Sequence, residues 1–143
     1  MKAILFCFAF LLALSYVDAK NTYNLLNGSV IITDANINQA RLDFGHLLVN
    51  FDAGCRWCLQ FRTFYNMARK SAAAAGLKVT FGWMDLKKNP LTKAKYNITR
   101  HPTQMLFIRK YPKSPLTYGG VKNAKDLLAW LNVQLPAIQR LGY

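Results

Sequence analysis

The chain has 143 residues, is 52% hydrophobic and carries 19 Lys and Arg against 6 acidic residues, a net charge of +13. That length supports one domain with a real core, so folding need not depend on a disulfide framework. All six acids are Asp, and so basic a surface favours anionic partners such as polyanions or acidic proteins. The bases form no run of five and accompany no nucleic-acid motif, so no specific nucleic-acid partner is expected.

Residues 1–19 read MKAILFCFAFLLALSYVDA. Lys2 opens an apolar run from Ala3 to Val17, and Ala19 closes it, which is the layout of a cleavable secretory signal. The run is shorter than the ~20 apolar residues a spanning helix needs, and no membrane span is expected after cleavage. Cleavage removes Lys2 and Asp18 together, so the net charge stays +13. Residues 20–28 read as a leader, 29–135 as a single domain and 136–143 as a C-terminal tail. Asn27-Gly-Ser29 and Asn97-Ile-Thr99 are glycosylation sequons.

Ser29 to Thr33 is a β-branched run that predicts a strand. Asp34 is placed to cap a following helix that carries Ile37, Ala40, Leu42 and Phe44. Leu47-Leu-Val-Asn-Phe51 predicts a buried central strand. A long helix follows Cys55, with Phe61, Phe64, Tyr65, Ala68 and Ala72 at helical spacing and Arg62, Arg69 and Lys70 on an exposed side. Lys78 to Asp85 predicts the next strand, Asn89-Pro90 starts a short helix, and Gln104 to Arg109 is strand-like. A Pro-Lys-Ser-Pro turn leads to a short strand at Leu116 to Tyr118. A final helix from about Asn123 buries Leu127, Leu128, Trp130 and Leu131. The alternation implies parallel pairing with helical crossovers, and the late turn implies an antiparallel hairpin. The expected fold is therefore α/β, a mixed central sheet flanked by helices in a single domain.

Three cysteines are present, and loss of the signal would remove Cys7. A zinc site of four cysteines is then impossible within one chain. His46 and His101 lack finger-like spacing from Cys55 and Cys58, so no metal is expected. A lone CxxC remains, set between a buried strand and a long helix, in the oxidising compartment the signal implies.

In this setting the chain resembles thioredoxin-fold domains, and among them the domains of protein disulfide isomerases. The resemblance runs over roughly Val30 to Leu135. Its pieces are Leu47-Leu-Val-Asn-Phe51, Cys55-Arg-Trp-Cys58, Phe81-Gly-Trp-Met-Asp85, Tyr96-Asn-Ile-Thr-Arg-His-Pro-Thr103, Tyr118-Gly-Gly120 and Asp126-Leu-Leu-Ala-Trp-Leu131. It implies a thiol–disulfide oxidoreductase of the secretory pathway, in the endoplasmic reticulum lumen or secreted, since no KDEL-type signal ends the chain. Substrates would be cysteine-containing polypeptides. A redox partner would reset the pair, and no cofactor is needed.

Cys55 at a helix N-terminus would meet free backbone N–H groups, with Arg56 adding a cation, so it is the expected nucleophile. Cys58, one turn on, would resolve the mixed disulfide and leave a Cys55–Cys58 disulfide. The resemblance makes Pro102 a cis-proline facing the site, with His101 bordering the sulfurs and offering its backbone to substrate. The chain also departs from the isomerase pattern. Arg56 and Trp57 replace Gly and His, Gly54 replaces an aromatic, and Asn50 stands where a buried acid is expected. Asp52 is expected to point elsewhere, and Val121, with Lys122 beside it, occupies the place of a modulating Arg. The alternative is a non-catalytic module of the same fold, with a static disulfide and a basic surface for acidic or polyanionic partners.

Overall fold

The structure is a computed structural model that describes residues 22–143. The expected signal segment and Cys7 lie outside the described residues. Six strands form one sheet: β1 (Leu25–Leu26), β2 (Ser29–Ile31), β3 (His46–Asp52), β4 (Thr80–Asp85), β5 (Thr103–Ile108) and β6 (Leu116–Thr117), in the order β1-β2-β4-β3-β5-β6. Among the described residues four α-helices flank it: α1 (Ile37–Asp43), α2 (Arg56–Ala74), α3 (Pro90–Lys95) and α4 (Ala124–Arg140). The β2, β4 and β3 pairings are parallel, and β5 and β6 add antiparallel. This is the thioredoxin fold, a mixed sheet between helices in a single domain.

Alternation along β3 sorts the core into two layers. Leu48 faces α2 and α4, where it joins Phe61, Tyr65, Leu127 and Leu131. Leu47, Val49 and Phe51 face the other way, towards Ile37 and Ala40 of α1. The buried Tyr65 hydroxyl lies 3.0 Å from the Leu48 carbonyl and 2.7 Å from that of Gly82, tying α2 to both central strands.

Three local expectations are corrected. Asp34 does not cap the helix that follows it. Its carboxylate accepts the Leu91 and Thr92 N–H groups (3.1 and 2.8 Å), capping α3, while the Asn89 side chain accepts the Asp34 N–H at 2.7 Å. α1 starts two residues later than a cap at Asp34 implies, after Asn36, which exchanges hydrogen bonds with Thr33. The leader holds a strand: Leu25–Leu26 pairs with β2 through an Asn27-Gly28 turn whose two residues have φ of 49° and 81°, the left-handed pair that a tight hairpin requires. The segment read as a tail is mostly helix. α4 runs through Pro136 to Arg140 because Leu135 and Ile138 remain buried against the sheet, which outweighs the hydrogen bond a proline removes.

Candidate active site around Cys55 and Cys58

β3 ends at Asp52, and the chain turns through Ala53 and Gly54 to reach Cys55, the N-cap of α2. Cys55 has an extended backbone (φ −72°, ψ 166°), and its sulfur accepts the Cys58 N–H at 3.0 Å. The two cysteines are disulfide-bonded with Cα atoms 4.9 Å apart. Cys58 is fully buried and Cys55 is half-buried, so an incoming thiolate reaches the Cys55 sulfur first. Arg56 and Trp57 are exposed, Trp57 at 65%. No acidic side chain occupies the first turn of this 19-residue helix to offset the positive end of its dipole at the sulfur.

β5 brings in the second loop. Phe51 pairs with Thr103, which sets Pro102 level with Asp52 at the end of β3 that leads to the cysteines. The His101–Pro102 peptide bond is cis, and so is Ser114–Pro115 in the Pro-Lys-Ser-Pro turn. Pro102 is buried and His101 half-buried, with its Nδ1 enclosed and unpartnered among the described residues.

Below the start of α2 the sheet carries polar side chains in place of apolar ones. Asn50 and Asp52, two residues apart on β3, lie on the same face as Leu48. Asn50 is fully buried and accepts from Gln104 Nε2 at 2.9 Å. Gln104 Oε1 in turn accepts the Lys122 ammonium at 2.6 Å. The Asn50 Nδ2 is enclosed without a partner among the described residues, and Asn50 is one wall of a cavity of about 30 Å³ whose other lining residues include Asn27, Arg62, Tyr65, Asn66 and Trp83. That volume admits a water molecule. Val121 is exposed, so Lys122 and not Val121 reaches inward. Burial pushes the Lys122 pKa below the usual lysine value.

Asp52 is the buried charge that pattern reasoning understated. Its side chain is 1% exposed and pairs with Arg62, at 2.5 Å to Nε and 3.2 Å to Nη2. It also accepts the Gly54 N–H at 2.7 Å and the Trp83 indole N–H at 3.1 Å. Burial alone would raise its pKa, but these donors outweigh burial and hold it below the ordinary aspartate value. Arg62, assigned to the exposed side of the helix, is half-exposed. Its guanidinium turns back onto Asp52 and lies 5.9 Å from the Trp83 ring centre. The parity of a strand contained the signal, since Asp52 shares the face of Asn50.

Asn27, another singled-out residue, lines the cavity beside Asn50. Asn27 and Asn97 are exposed, each with φ of 49°. No group of three or more His, Cys, Asp or Glu able to hold a metal occurs among the described residues. None of their helices is long and apolar enough to cross a membrane.

Solved structures share this fold. The first thioredoxin domain of mouse protein disulfide-isomerase A4 matches with a TM-score of 0.70 at 18% identity, covering 81% of each chain. The Trx4 domain of ERdj5 matches at 0.65 and 23% identity, covering 76% of this chain and 96% of that one. Human ERp44 in its zinc-bound form matches at 0.65 and 22% identity over 73% of this chain, which spans 30% of the ERp44 chain. At these identities the likeness is one of fold. No curated protein is a significant match to the sequence. The family model described as Thioredoxin matches residues 28–133, and the chain belongs to the thioredoxin family.

Proposed function

We propose that the protein is a thiol–disulfide oxidoreductase of the secretory pathway, acting on cysteine-containing polypeptides in the manner of a protein disulfide isomerase. The observation that carries this reading is the asymmetry of the pair: a half-buried Cys55 at a helix N-terminus and a fully buried Cys58 one turn behind it. In the reduced protein the Cys55 thiolate attacks one sulfur of a substrate disulfide and expels the other as a thiolate. Cys58 then gives up its proton and attacks the Cys55 sulfur, releasing the second substrate thiolate and closing the Cys55–Cys58 disulfide. Two electrons pass to the substrate, and a dithiol partner returns them. The reverse sequence donates a disulfide.

Pro102 and the His101 backbone border the substrate in this reading, Trp57 offers an exposed aromatic face, and Arg56 favours the thiolate. Asn50 cannot accept the Cys58 proton, so that proton leaves to solvent or to the departing substrate thiolate. This favours simple oxidation or reduction over repeated isomerisation. The secretory assignment rests on residues 1–19 of the sequence. Insulin reduction by the protein with dithiothreitol tests the reading: the unmutated chain is active and Cys55→Ser is inactive. An inactive unmutated chain overturns it.

A binding module with a static disulfide is the second reading. It is favoured by the placement of the carboxylates: Asp34, Asp52 and Asp85 each accept a backbone N–H, and Asp126 accepts the Asn123 side-chain N–H at 3.0 Å. Among the described residues most exposed Lys and Arg form no ion pair. Heparin affinity that disappears at modest salt supports this surface without touching the redox assay.

A further inference from the structure

Gly54, the residue before Cys55, has φ of +71°. A Cβ at this position would lie 2.9 Å from the Lys87 ammonium and 3.4 Å from its Cε. The lysine stem thus crosses the glycine, in the space a larger residue would fill. The turn Leu86–Lys88 that presents it directly follows β4, and the Asp85 side chain accepts the Lys87 N–H at 3.0 Å. β4 and β3 run in register there, Asp52 beside Asp85, so the lysine is delivered to the cysteine loop by the sheet itself.

Lys87 Nζ makes no hydrogen bond or ion pair among the described residues, and neither does the Arg56 guanidinium. Of the two carboxylates nearby, Asp52 is occupied by Arg62, Trp83 and the Gly54 N–H. Asp85 is half-buried and turned to the Lys87 backbone. Two cations therefore bracket the accessible sulfur, one over residue 54 and one at residue 56, with a helix N-terminus between them. Fixed positive charge at the rim of a site attracts segments of opposite sign and repels those of like sign.

We propose that Lys87 and Arg56 form a cationic rim that selects polypeptide disulfides whose cysteine is flanked by acidic residues, with Lys87 as a specificity-determining residue. The inference takes its site from the oxidoreductase reading and adds the substrate class. It differs from a general effect on the thiolate, which would change the rate for every substrate alike.

Two peptide disulfides test it, identical except for Asp or Lys on both sides of the cysteine. At low salt the acidic peptide is expected to have a kcat/KM about fivefold higher. The preference falls towards one at about 0.5 M salt, where exposed charges are screened. Lys87→Gln reduces it and Lys87→Arg retains it. Where both peptides turn over, equal rates at low salt, or a preference unchanged in Lys87→Gln, overturn the proposal. Serine-for-cysteine versions of both peptides are then titrated onto the oxidised protein, followed by tryptophan fluorescence. If neither disulfide peptide turns over but the acidic serine peptide still binds more tightly through Lys87, the rim stands and the oxidoreductase reading falls. Equal binding of the two serine peptides sinks the rim whatever the activity.

Discussion

Two residues on β3, Asp52 and Asn50, face the same way two positions apart and solve burial differently. Asp52 keeps its charge, and both of its oxygens are used: Oδ1 by Gly54 N–H and Arg62 Nη2, Oδ2 by Arg62 Nε and the Trp83 indole. Asn50 is neutral, makes one hydrogen bond through its oxygen, and leaves its Nδ2 enclosed without a partner among the described residues. One cation, Lys122, reaches it only across Gln104. A buried charge is tolerable where a cation and further donors touch it directly, and costly where they do not. The amide at residue 50 thus suits its surroundings better than a carboxylate would, and its consequence is chemical: the side chain beneath the active site accepts no proton.

The largest effect expected from breaking this contrast comes at Asp52. Asp52→Ala strands the Gly54 and Trp83 N–H groups and leaves Arg62 without its carboxylate. Because Arg62 is half-exposed and can be rehydrated, the loss is about 2–4 kcal/mol, below that of a fully buried pair. Urea unfolding measures it, and a loss no larger than that of Asn50→Ala would erase the contrast. The same carboxylate shapes the acid limb. Its folded pKa is lowered, so its contribution is fully present above the unfolded value of about 3.9 and is lost as pH falls through the folded one. Asp34 has a lowered pKa too and acts in the same window. The urea midpoint should therefore fall steeply below about pH 4, and less steeply in Asp52→Asn.

The neutral side is expected to respond less. Gln104→Leu alone leaves the Asn50 oxygen and the Lys122 ammonium without their partner, a loss of about 1–3 kcal/mol. In the double variant Asn50→Leu with Gln104→Leu, both amides are gone, and Lys122 can extend its stem to solvent. Stability should then return to within about 1 kcal/mol of the unmutated chain. A double-mutant cycle with no such recovery would show that the amides stabilise the fold in their own right. Trp57→Ala is the smallest perturbation to the fold. The exposed side chain should leave the urea midpoint within error while weakening apolar peptide substrates.

Much of the fold and the position of the cysteines are legible in the sequence. Hydrophobic alternation places β3 and the long helix, and the cysteines fall between them. What the sequence conceals is pairing between distant residues. Asp34 looks like a local cap because caps usually serve the next helix, yet its partners lie more than fifty residues on. Arg62 falls on the solvent side by helical spacing, and only the end of β3 shows why it turns inward. Leu25 and Leu26 make too short a run to read as a strand without β2 beside them. Lys87 gives no signal, because its meaning depends on Gly54 leaving room for it across the sheet.

The central claim is that Cys55 attacks and Cys58 resolves, and single-cysteine variants test it most directly. Reduced Cys58→Ser and Cys55→Ser proteins are mixed separately with one peptide disulfide, and mixed-disulfide formation is followed by mass. The account requires rapid, persistent adduct formation through Cys55 in Cys58→Ser. It requires formation through the buried Cys58 in Cys55→Ser to be slower by about a hundredfold, as access and thiolate character dictate. Equal rates, or faster reaction through Cys58, would contradict it.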